Sequence, residues 1–131
     1  MSKILIIEDD LFLLSLIVEK FIKSGFEVET AVDGEEGLNK ILKNRYDLVL
    51  LDMILPKMDG FKVLEEVKKN QSLKELPIIV ASNLYDKNDI DRAVSLGAKD
   101  YIVKAYNSPE GIIIRVKAFL QKNLINKGHT L

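Results

Sequence analysis

Five polar residues of this chain stand where their side chains could act on one charged substrate. Each stands at the end of a short run of residues that is typical of a β-strand. They are Glu8 and Asp9 after residues 4–7, Asp52 after residues 48–51, Ser82 after residues 78–81, and Lys104 after residues 100–103. Because the carboxyl ends of parallel strands lie at one edge of a sheet, where open α/β folds bind ligands, we expect the five side chains to converge. Each residue alone also suits a helix cap, a turn or a solvated charge, so the prediction rests on the whole set.

The three carboxylates of this set need a counter-charge. Each close pair repels by about 4 kcal/mol at an effective dielectric constant of about 20, and the ammonium of Lys104 offsets only part of that. The remainder predicts a bound divalent cation, and an all-oxygen ligand set favours Mg²⁺ or Mn²⁺ over zinc. A cation with a lysine and a hydroxyl nearby is typical of phosphoryl transfer. Asp52 is then the predicted nucleophile, which becomes an aspartyl phosphate.

Strand and helix signals alternate five times along the chain, without a linker or an internal repeat. This alternation predicts an α/β fold with a parallel five-stranded sheet and helices on both faces. The continuously apolar runs 4–7 and 48–51 should be central strands, whereas the alternating run 27–32 should be an edge strand. Gly25 and Gly97 are predicted helix stops.

The chain is predicted to form one domain. Ser108 followed by Pro109 predicts the start of the last helix, which should run to roughly Leu124. We therefore assign residues 1–125 to the domain and residues 126–131 to a C-terminal tail. With no further domain after Leu124, the chain is expected to be either a stand-alone protein or a piece of a longer one.

Composition excludes several classes of function. The chain has no cysteine, which excludes disulfides, thiolate metal sites and a cysteine nucleophile. Its single histidine, His129, lies within the last three residues, which argues against histidine-based catalysis and most zinc sites. A net charge of −1 without a Lys/Arg cluster predicts no nucleic-acid partner. The absence of a signal peptide and of an apolar run near the ~20 residues of a membrane span predicts a cytoplasmic protein with no membrane contact.

An ordered set of motifs resembles the receiver domain of two-component response regulators. The set comprises Glu8-Asp9, Asp52 with Pro56, Asp59 and Gly60, Ser82, and Tyr101 three residues before Lys104. The resemblance spans residues 3–124 and implies a flavodoxin-like, doubly wound (βα)5 fold with strand order 2-1-3-4-5. It also implies that Asp52 accepts a phosphoryl group from a phosphohistidine on a sensor histidine kinase or phosphotransfer protein. A receiver of this kind signals and is not a turnover enzyme.

The resemblance further assigns a role to each residue of the site. Asp9 and Asp52 would hold Mg²⁺ directly with the backbone carbonyl of Ile54, and Glu8 would act through water. Lys104 and Ser82 would contact the phosphoryl oxygens. Movement of Ser82 would let Tyr101 turn inward, which would reshape the face of the fourth helix, fifth strand and fifth helix for a protein target. The protein would be a monomer or a phosphorylation-dependent dimer.

The chain departs from the receiver pattern beside this site. Ala105 follows Lys104 where receivers usually have a proline, and a cis bond before alanine costs about 2.5–4 kcal/mol, so we expect a trans bond and a re-routed loop. Asn83 stands where receivers usually have a small residue after the hydroxyl residue. Its larger side chain would narrow the entrance for the phosphoryl group or add a hydrogen bond there. Ile54 and Leu84 are apolar and cannot orient a water molecule, so the aspartyl phosphate should persist for minutes or longer.

Three rival functions fit the sequence less well, and only the last of them stays open. A phosphatase of the haloacid dehalogenase type would need a second acid two residues after Asp52, where Ile54 stands. A flavodoxin-like FMN binder would need a first loop that cradles phosphate, whereas residues 8–10 are all acidic. A pseudo-receiver that binds partners without phosphorylation is kept open by Ala105 and Asn83.

Overall fold

The computed structural model describes residues 2–126, with side chains described as far as residue 123. Five strands alternate with five helices in this part of the chain, as predicted. The strands are β1 (Lys3–Ile7), β2 (Glu27–Ala31), β3 (Leu48–Leu51), β4 (Ile78–Ser82) and β5 (Asp100–Val103). The helices are α1 (Leu11–Lys23), α2 (Gly34–Lys43), α3 (Gly60–Lys68), α4 (Lys87–Ser95) and α5 (Pro109–Asn126). His129 and the remainder of the predicted tail, residues 127–131, lie outside the described residues.

The strands form one parallel sheet in the order β2-β1-β3-β4-β5. The two continuously apolar strands, β1 and β3, pair with each other in the interior, with Leu5 opposite Val49. The alternating strand β2 is an edge. All three placements were predicted, because a strand covered on both faces must be apolar throughout, whereas an edge strand can alternate.

Helices cover both faces of this sheet. Leu5 and Ile7 of β1 point to one side, where they join an apolar cluster with α2, α3 and α4. Ile4 and Ile6 point to the other side, where they pack with α1 and α5. Successive strand side chains face opposite ways, so a single strand supplies both layers and fixes the two groups of helices relative to each other.

Polar side chains set where the helices begin. The first four helices each follow an aspartate whose carboxylate accepts a backbone N–H from the first turn, namely Asp10, Asp33, Asp59 and Asp86. Ser108 does the same for α5, since its Oγ accepts the N–H of Gly111 at 3.1 Å, which confirms the predicted cap. Each cap ends the loop that follows a strand, so the length of every such loop is fixed.

The helix stops also follow the sequence. Gly25 and Gly97 adopt φ values of +93° and +109°, which confirms them as left-handed stops after α1 and α4. The last helix continues to Asn126, two residues beyond the predicted Leu124. Within residues 2–126, no helix combines the length and the apolar character that crossing a bilayer requires.

Candidate functional site

The carboxyl edge of the sheet brings the five predicted site residues together. Glu8 and Asp9 follow β1, Asp52 follows β3, Ser82 ends β4 and Lys104 follows β5. One carboxylate oxygen from each of Glu8, Asp9 and Asp52 lies within 4.8 Å of the other two. Glu8 and Asp52 are only 3% and 5% exposed, whereas Asp9 is exposed. We call these three residues the acidic cluster; it is buried at its base and open to solvent on the side of Asp9.

Lys104 is the counter-charge at the buried base of the acidic cluster. Its Nζ donates to Asp52 Oδ2 at 2.7 Å and also to Glu8 Oε1. The lysine side chain is 10% exposed, and those of its two acceptors are 4% and 6% exposed. Charges this far from water depend on one another, because removing one partner leaves the other buried and unpaired.

Burial and pairing shift the proton affinities of these groups in defined directions. Burial raises the pKa of Glu8 above its ordinary value, and the hydrogen bond from Lys104 opposes that shift. Burial alone would lower the pKa of Lys104, but the hydrogen bonds to Asp52 and Glu8 outweigh it and raise the pKa. Lys104 therefore remains a cation at neutral pH although it is buried.

Backbone groups occupy the remaining oxygens of the buried acids. Glu8 Oε2 accepts the N–H of Asp10 at 3.0 Å, and Asp52 Oδ1 accepts the N–H of Ile54 at 3.1 Å. Together with the two bonds from Lys104, every carboxylate oxygen of Glu8 and Asp52 accepts a hydrogen bond. This explains how two acids can be buried so close together, since buried polar atoms require partners.

Gly60 allows α3 to begin directly against Asp52. A Cβ atom at Gly60 would lie 2.4 Å from the backbone oxygen of Asp52 and 2.4 Å from Met53 Cε. The N–H of Gly60 donates to the Met53 carbonyl at 2.9 Å, which holds the helix start on the end of β3. Only glycine fits this contact, which explains the sequence signal Asp59-Gly60 after the apolar run.

Ser82 and Tyr101 meet at the backbone of Leu84. Ser82 is fully buried, and its Oγ accepts the N–H of Leu84 at 3.3 Å. The half-buried Tyr101 donates its hydroxyl to the Leu84 carbonyl at 2.7 Å. Burial raises the pKa of the Tyr101 hydroxyl, so it keeps its proton and remains a donor at neutral pH. The loop after β4 is therefore bonded to both β4 and β5 through one residue.

A family comparison agrees with this geometry. The family model described as "Response regulator receiver domain" matches residues 4–117, a span that contains the acidic cluster, Ser82 and Lys104. This chain belongs to the response regulator receiver family. The predicted family, and with it the flavodoxin-like (βα)5 fold, is confirmed.

Curated relatives of this receiver are longer response regulators. The response regulator ArlR of Staphylococcus saprophyticus is 38% identical over 130 residues, which are 96% of this chain and 57% of the relative. The probable transcriptional regulator ycf27 of Guillardia theta is 36% identical over 121 residues, which are 92% of this chain and 46% of the relative. The chain thus spans about half the length of these relatives.

Solved receiver structures match over nearly the whole chain. The receiver domain of the Francisella response regulator 1452 superposes with a TM-score of 0.85 at 30% identity, covering 94% of this chain and 99% of that one. The Mn²⁺-bound form of the response regulator Rcp1 superposes with a TM-score of 0.78 at 28% identity, covering 87% and 88% of the two chains. Neither the phosphatase nor the FMN-binding hypothesis finds support among these matches.

The receiver's departures from the family pattern lie at the rim of the site. The Lys104–Ala105 peptide bond is trans, as predicted, like every other peptide bond in the described residues. The chain then makes a 3₁₀ turn over Lys104–Tyr106, which Asn107 closes by donating its Nδ2 to the Val103 carbonyl at 2.8 Å. The side chain of Asn83 is exposed where the loop after β4 begins.

Two features of the site escaped sequence reasoning. One is the ion pair between Glu8 and Lys104, which are 96 residues apart and share no pattern. The other is the turn between Asp52 and α3, where Lys57 has a φ of +68° and the N–H of Met58 donates to the Pro56 carbonyl at 2.7 Å. This γ-turn is a strained conformation for lysine. Pro56 signalled a turn in the sequence, but nothing there signals a left-handed lysine.

Proposed function

We propose that this receiver accepts a phosphoryl group on Asp52 from a phosphohistidine of a sensor kinase or phosphotransfer protein, as a step in a two-component phosphorelay. The observation that carries the proposal is the environment of Asp52. This buried carboxylate lies within 4.8 Å of two other acids and 2.7 Å from a buried ammonium. A cluster of three acids around one lysine stabilises the fold poorly and is suited to holding a cation and a phosphoryl group.

In the proposed step, an oxygen of Asp52 attacks the donor phosphorus and forms a P–O bond. The P–N bond to the donor imidazole breaks, and its electron pair leaves with the ring, which departs as neutral imidazole when its other nitrogen carries a proton. Lys104 and the hydroxyl of Ser82 then donate to oxygens of the transferred group. The product is an aspartyl phosphate, so each receiver takes one phosphoryl group and we expect no turnover of phosphate esters.

The donor set of the acidic cluster fits a small divalent cation. Asp9 and Asp52 offer carboxylate oxygens, Ile54 offers its backbone carbonyl, and Glu8 would act through water. An all-oxygen set of this kind suits Mg²⁺ or Mn²⁺. When bound, the cation neutralises negative charge on the transferring phosphoryl oxygens. A solved form of the matching regulator Rcp1 is Mn²⁺-bound, which supports a divalent cation in this receiver without identifying its ligands.

The bonds at Leu84 support a switch. We propose that a phosphoryl group on Asp52 draws the hydroxyl of Ser82 away from the Leu84 N–H. The loop after β4 then shifts, and the bond from Tyr101 to the Leu84 carbonyl holds it in a new position. The bond from the Tyr101 hydroxyl to the Leu84 carbonyl shows that the fold can hold the tyrosine in the inward position that this switch requires.

Exposed apolar side chains around the site favour a protein donor. At the carboxyl edge, each strand is followed within five residues by a large apolar side chain that is at least 40% exposed. We call this set the apolar rim; it consists of Leu11, Phe12, Val32, Ile54, Tyr85 and Tyr106. A small phosphodonor has no use for such a surface, whereas a protein that delivers a phosphohistidine would cover it.

The output surface and the longer relatives define the remaining partners. We propose that a protein target, or a second phosphorylated copy, reads the face formed by α4, β5 and α5. We place this exchange in the cytoplasm, without membrane contact. The expectation of no nucleic-acid partner is limited to the receiver itself, because the relative ycf27 is named a probable transcriptional regulator and is about twice as long.

Phosphorylation with acetyl phosphate and Mg²⁺ tests the proposal. We expect one phosphoryl group on the wild type, seen as a mass increase, and none on Asp52→Asn. The matched control is Asp91→Asn, which removes an exposed carboxylate on α4 and should label normally. Equal labelling of the wild type and Asp52→Asn would refute the assignment of Asp52. If no donor labels the folded wild type, whether small molecule or kinase, the pseudo-receiver alternative replaces this proposal.

A further inference from the structure

The turn that leads from Asp52 into α3 is held in a conformation that its residues do not favour. Lys57 is the one non-glycine residue with a positive φ in the described part of the chain, and its φ is +68°. The N–H of Met58 donates to the Pro56 carbonyl across this turn at 2.7 Å. The Lys57 side chain is 64% exposed, so its own burial does not account for the conformation. Contacts from elsewhere in the fold must therefore hold the turn.

The first turn of α2 lies directly against this loop. The N–H of Gly34 donates to the same Pro56 carbonyl at 3.4 Å. A Cβ atom at Gly34 would overlap the Met58 carbonyl oxygen and lie 2.7 Å from the Met58 carbonyl carbon. Because both of these atoms belong to the backbone, the overlap could be relieved only if the loop or the helix moved. Gly34 therefore lets α2 pack closely on the loop, as Gly60 lets α3 begin against Asp52.

Asp33 fixes where α2 begins at this contact. Its Oδ1 accepts the N–H of Glu36 at 2.7 Å as the helix cap, and the residue is 8% exposed. Its other oxygen, Oδ2, lies 3.7 Å from the ammonium of Lys57. The exposure of the lysine makes this ion pair weak, so the backbone contact at Gly34 supplies most of the restraint on the turn.

The same loop carries the backbone group that contacts Asp52. The N–H of Ile54 donates to Asp52 Oδ1 at 3.1 Å. Only residues 53–59 separate Asp52 from α3, so a shift of the turn at Lys57 would move Ile54 relative to the carboxylate. The orientation of a reacting group matters, because misplacement by about 1 Å can slow a reaction on the order of 100-fold.

We propose that the first turn of α2 is a positioning element for phosphoryl acceptance. Gly34, placed by the Asp33 cap, holds the loop after Asp52 in the strained turn at Lys57 and so keeps the reactive carboxylate in its orientation. Both residues of α2 act through the loop and not on the phosphoryl group itself. The inference rests on the proposed phosphorylation of Asp52.

Gly34→Ala tests the contact from the side of the helix. Alanine favours a helix more than glycine does, so local propensity alone predicts an unchanged or more stable protein. The close contact instead predicts a displaced loop. With acetyl phosphate and saturating Mg²⁺, we expect the folded variant to be labelled on Asp52 about tenfold more slowly than the wild type. The amide resonance of Ile54 should also shift, which a loss of stability alone would not cause.

Gly111→Ala is the matched control for this variant. It changes a glycine in the first turn of α5, where an added Cβ would lie 3.5 Å from its nearest neighbour, Ser108 Oγ. We expect neither the labelling rate nor the Ile54 resonance to change. A folded Gly34→Ala that is labelled at the wild-type rate would overturn the inference.

Lys57 tests the same restraint from the side of the loop, in case Gly34→Ala does not fold. Lys57→Val places a β-branched residue at a positive φ, which such residues avoid, whereas Lys57→Gly removes the same ammonium and favours the turn. We expect Lys57→Val to be labelled about tenfold more slowly than the wild type and Lys57→Gly at close to the wild-type rate. Equal rates for the two variants would overturn the inference.

The two proposals can fail separately. A folded wild type that no donor labels would overturn the proposed function and this inference with it. A wild type that is labelled on Asp52, with Gly34→Ala and Lys57→Val labelled equally fast, would overturn the inference alone and leave the proposed function intact.

Discussion

The two edges of the sheet carry similar groups of charges and use them differently. At the carboxyl edge, Lys104 bridges Glu8 and Asp52. At the amino edge, Lys3 lies 3.0 Å from Glu29 and 3.9 Å from Glu27. Each lysine thus contacts two acids, which follow the neighbouring strands β1 and β3 at the carboxyl edge and both lie on β2 at the amino edge.

Burial separates the two groups. Lys3 is 27% exposed and its acceptors are 35% and 57% exposed, so water screens all three charges. The charges around Lys104 are at most 10% exposed. Tyr46 completes the amino-edge group by donating its hydroxyl to Glu29 at 2.6 Å, and its ring lies 5.1 Å from the Lys3 ammonium. Similar residue types thus form a solvent-screened ion pair at the amino edge and a buried, strongly interacting group of charges at the carboxyl edge.

Replacing each lysine by alanine is the most direct way to break this comparison. In chelator, Lys104→Ala should lower the free energy of unfolding by about 3–5 kcal/mol, because it leaves Glu8 and Asp52 buried without their cation. Lys3→Ala should cost far less, because water replaces the lost partner. Urea unfolding of both variants beside the wild type measures the difference. Equal losses would show that burial does not distinguish the two edges.

The lifetime of the aspartyl phosphate tests how the residues beside Asp52 affect the chemistry at the carboxyl edge. Ile54 is 53% exposed beside Asp52, and neither it nor the half-buried Leu84 offers a group that orients water. We expect the wild-type phosphoryl group to persist for minutes or longer in Mg²⁺ buffer. Ile54→Gln, which adds a donor and an acceptor at the same place, should speed its loss by roughly tenfold, or about 1.4 kcal/mol in activation free energy.

Phosphate release from labelled receiver measures both lifetimes. Val94→Gln, an equivalent change at an exposed site on α4, is the control and should match the wild type. Loss of the wild-type label within seconds would contradict the expectation.

The smallest effect is expected at the amino edge under acid. The hydrogen bond from Tyr46 and, next, that from Lys3 lower the pKa of Glu29 below its ordinary value of 4.5. A lowered folded-state pKa stabilises the protein above the unfolded pKa, and this stabilisation is lost as the pH falls through the folded value. Tyr46→Phe should therefore cost at most about 1 kcal/mol at pH 7, and the difference from the wild type should shrink below about pH 4.5. Unfolding curves across this pH range test it, and a difference that grows in acid would contradict it.

The fold could be predicted from the sequence because its signals are local. The apolar runs that became β1 and β3 identify central strands, and Gly25 and Gly97 mark helix ends. Alternation of strands and helices then leaves few possible topologies. The extension of α5 to Asn126 was missed, since no breaking residue follows Leu124 until Gly128.

The candidate site was predictable in its residues but not in its internal pairing. Strand ends placed Glu8, Asp52 and Lys104 at one edge, because parallel strands all end on the same side. Which acids Lys104 contacts depends on side-chain positions fixed by the whole core, and no local pattern encodes them. The positive φ of Lys57 could not be predicted for the same reason, since the surrounding contacts impose a backbone conformation that lysine alone avoids.

The double bonding of Leu84 limits how the loop after β4 can move. Its N–H is tied to the serine of the fourth strand and its carbonyl to the tyrosine of the fifth, so both backbone torsions of one residue are restrained. A partial displacement of Leu84 would leave the fully buried Ser82 oxygen without its hydrogen-bond donor. Intermediate conformations of the loop should therefore be poorly populated, and we expect it to exchange between two discrete conformations.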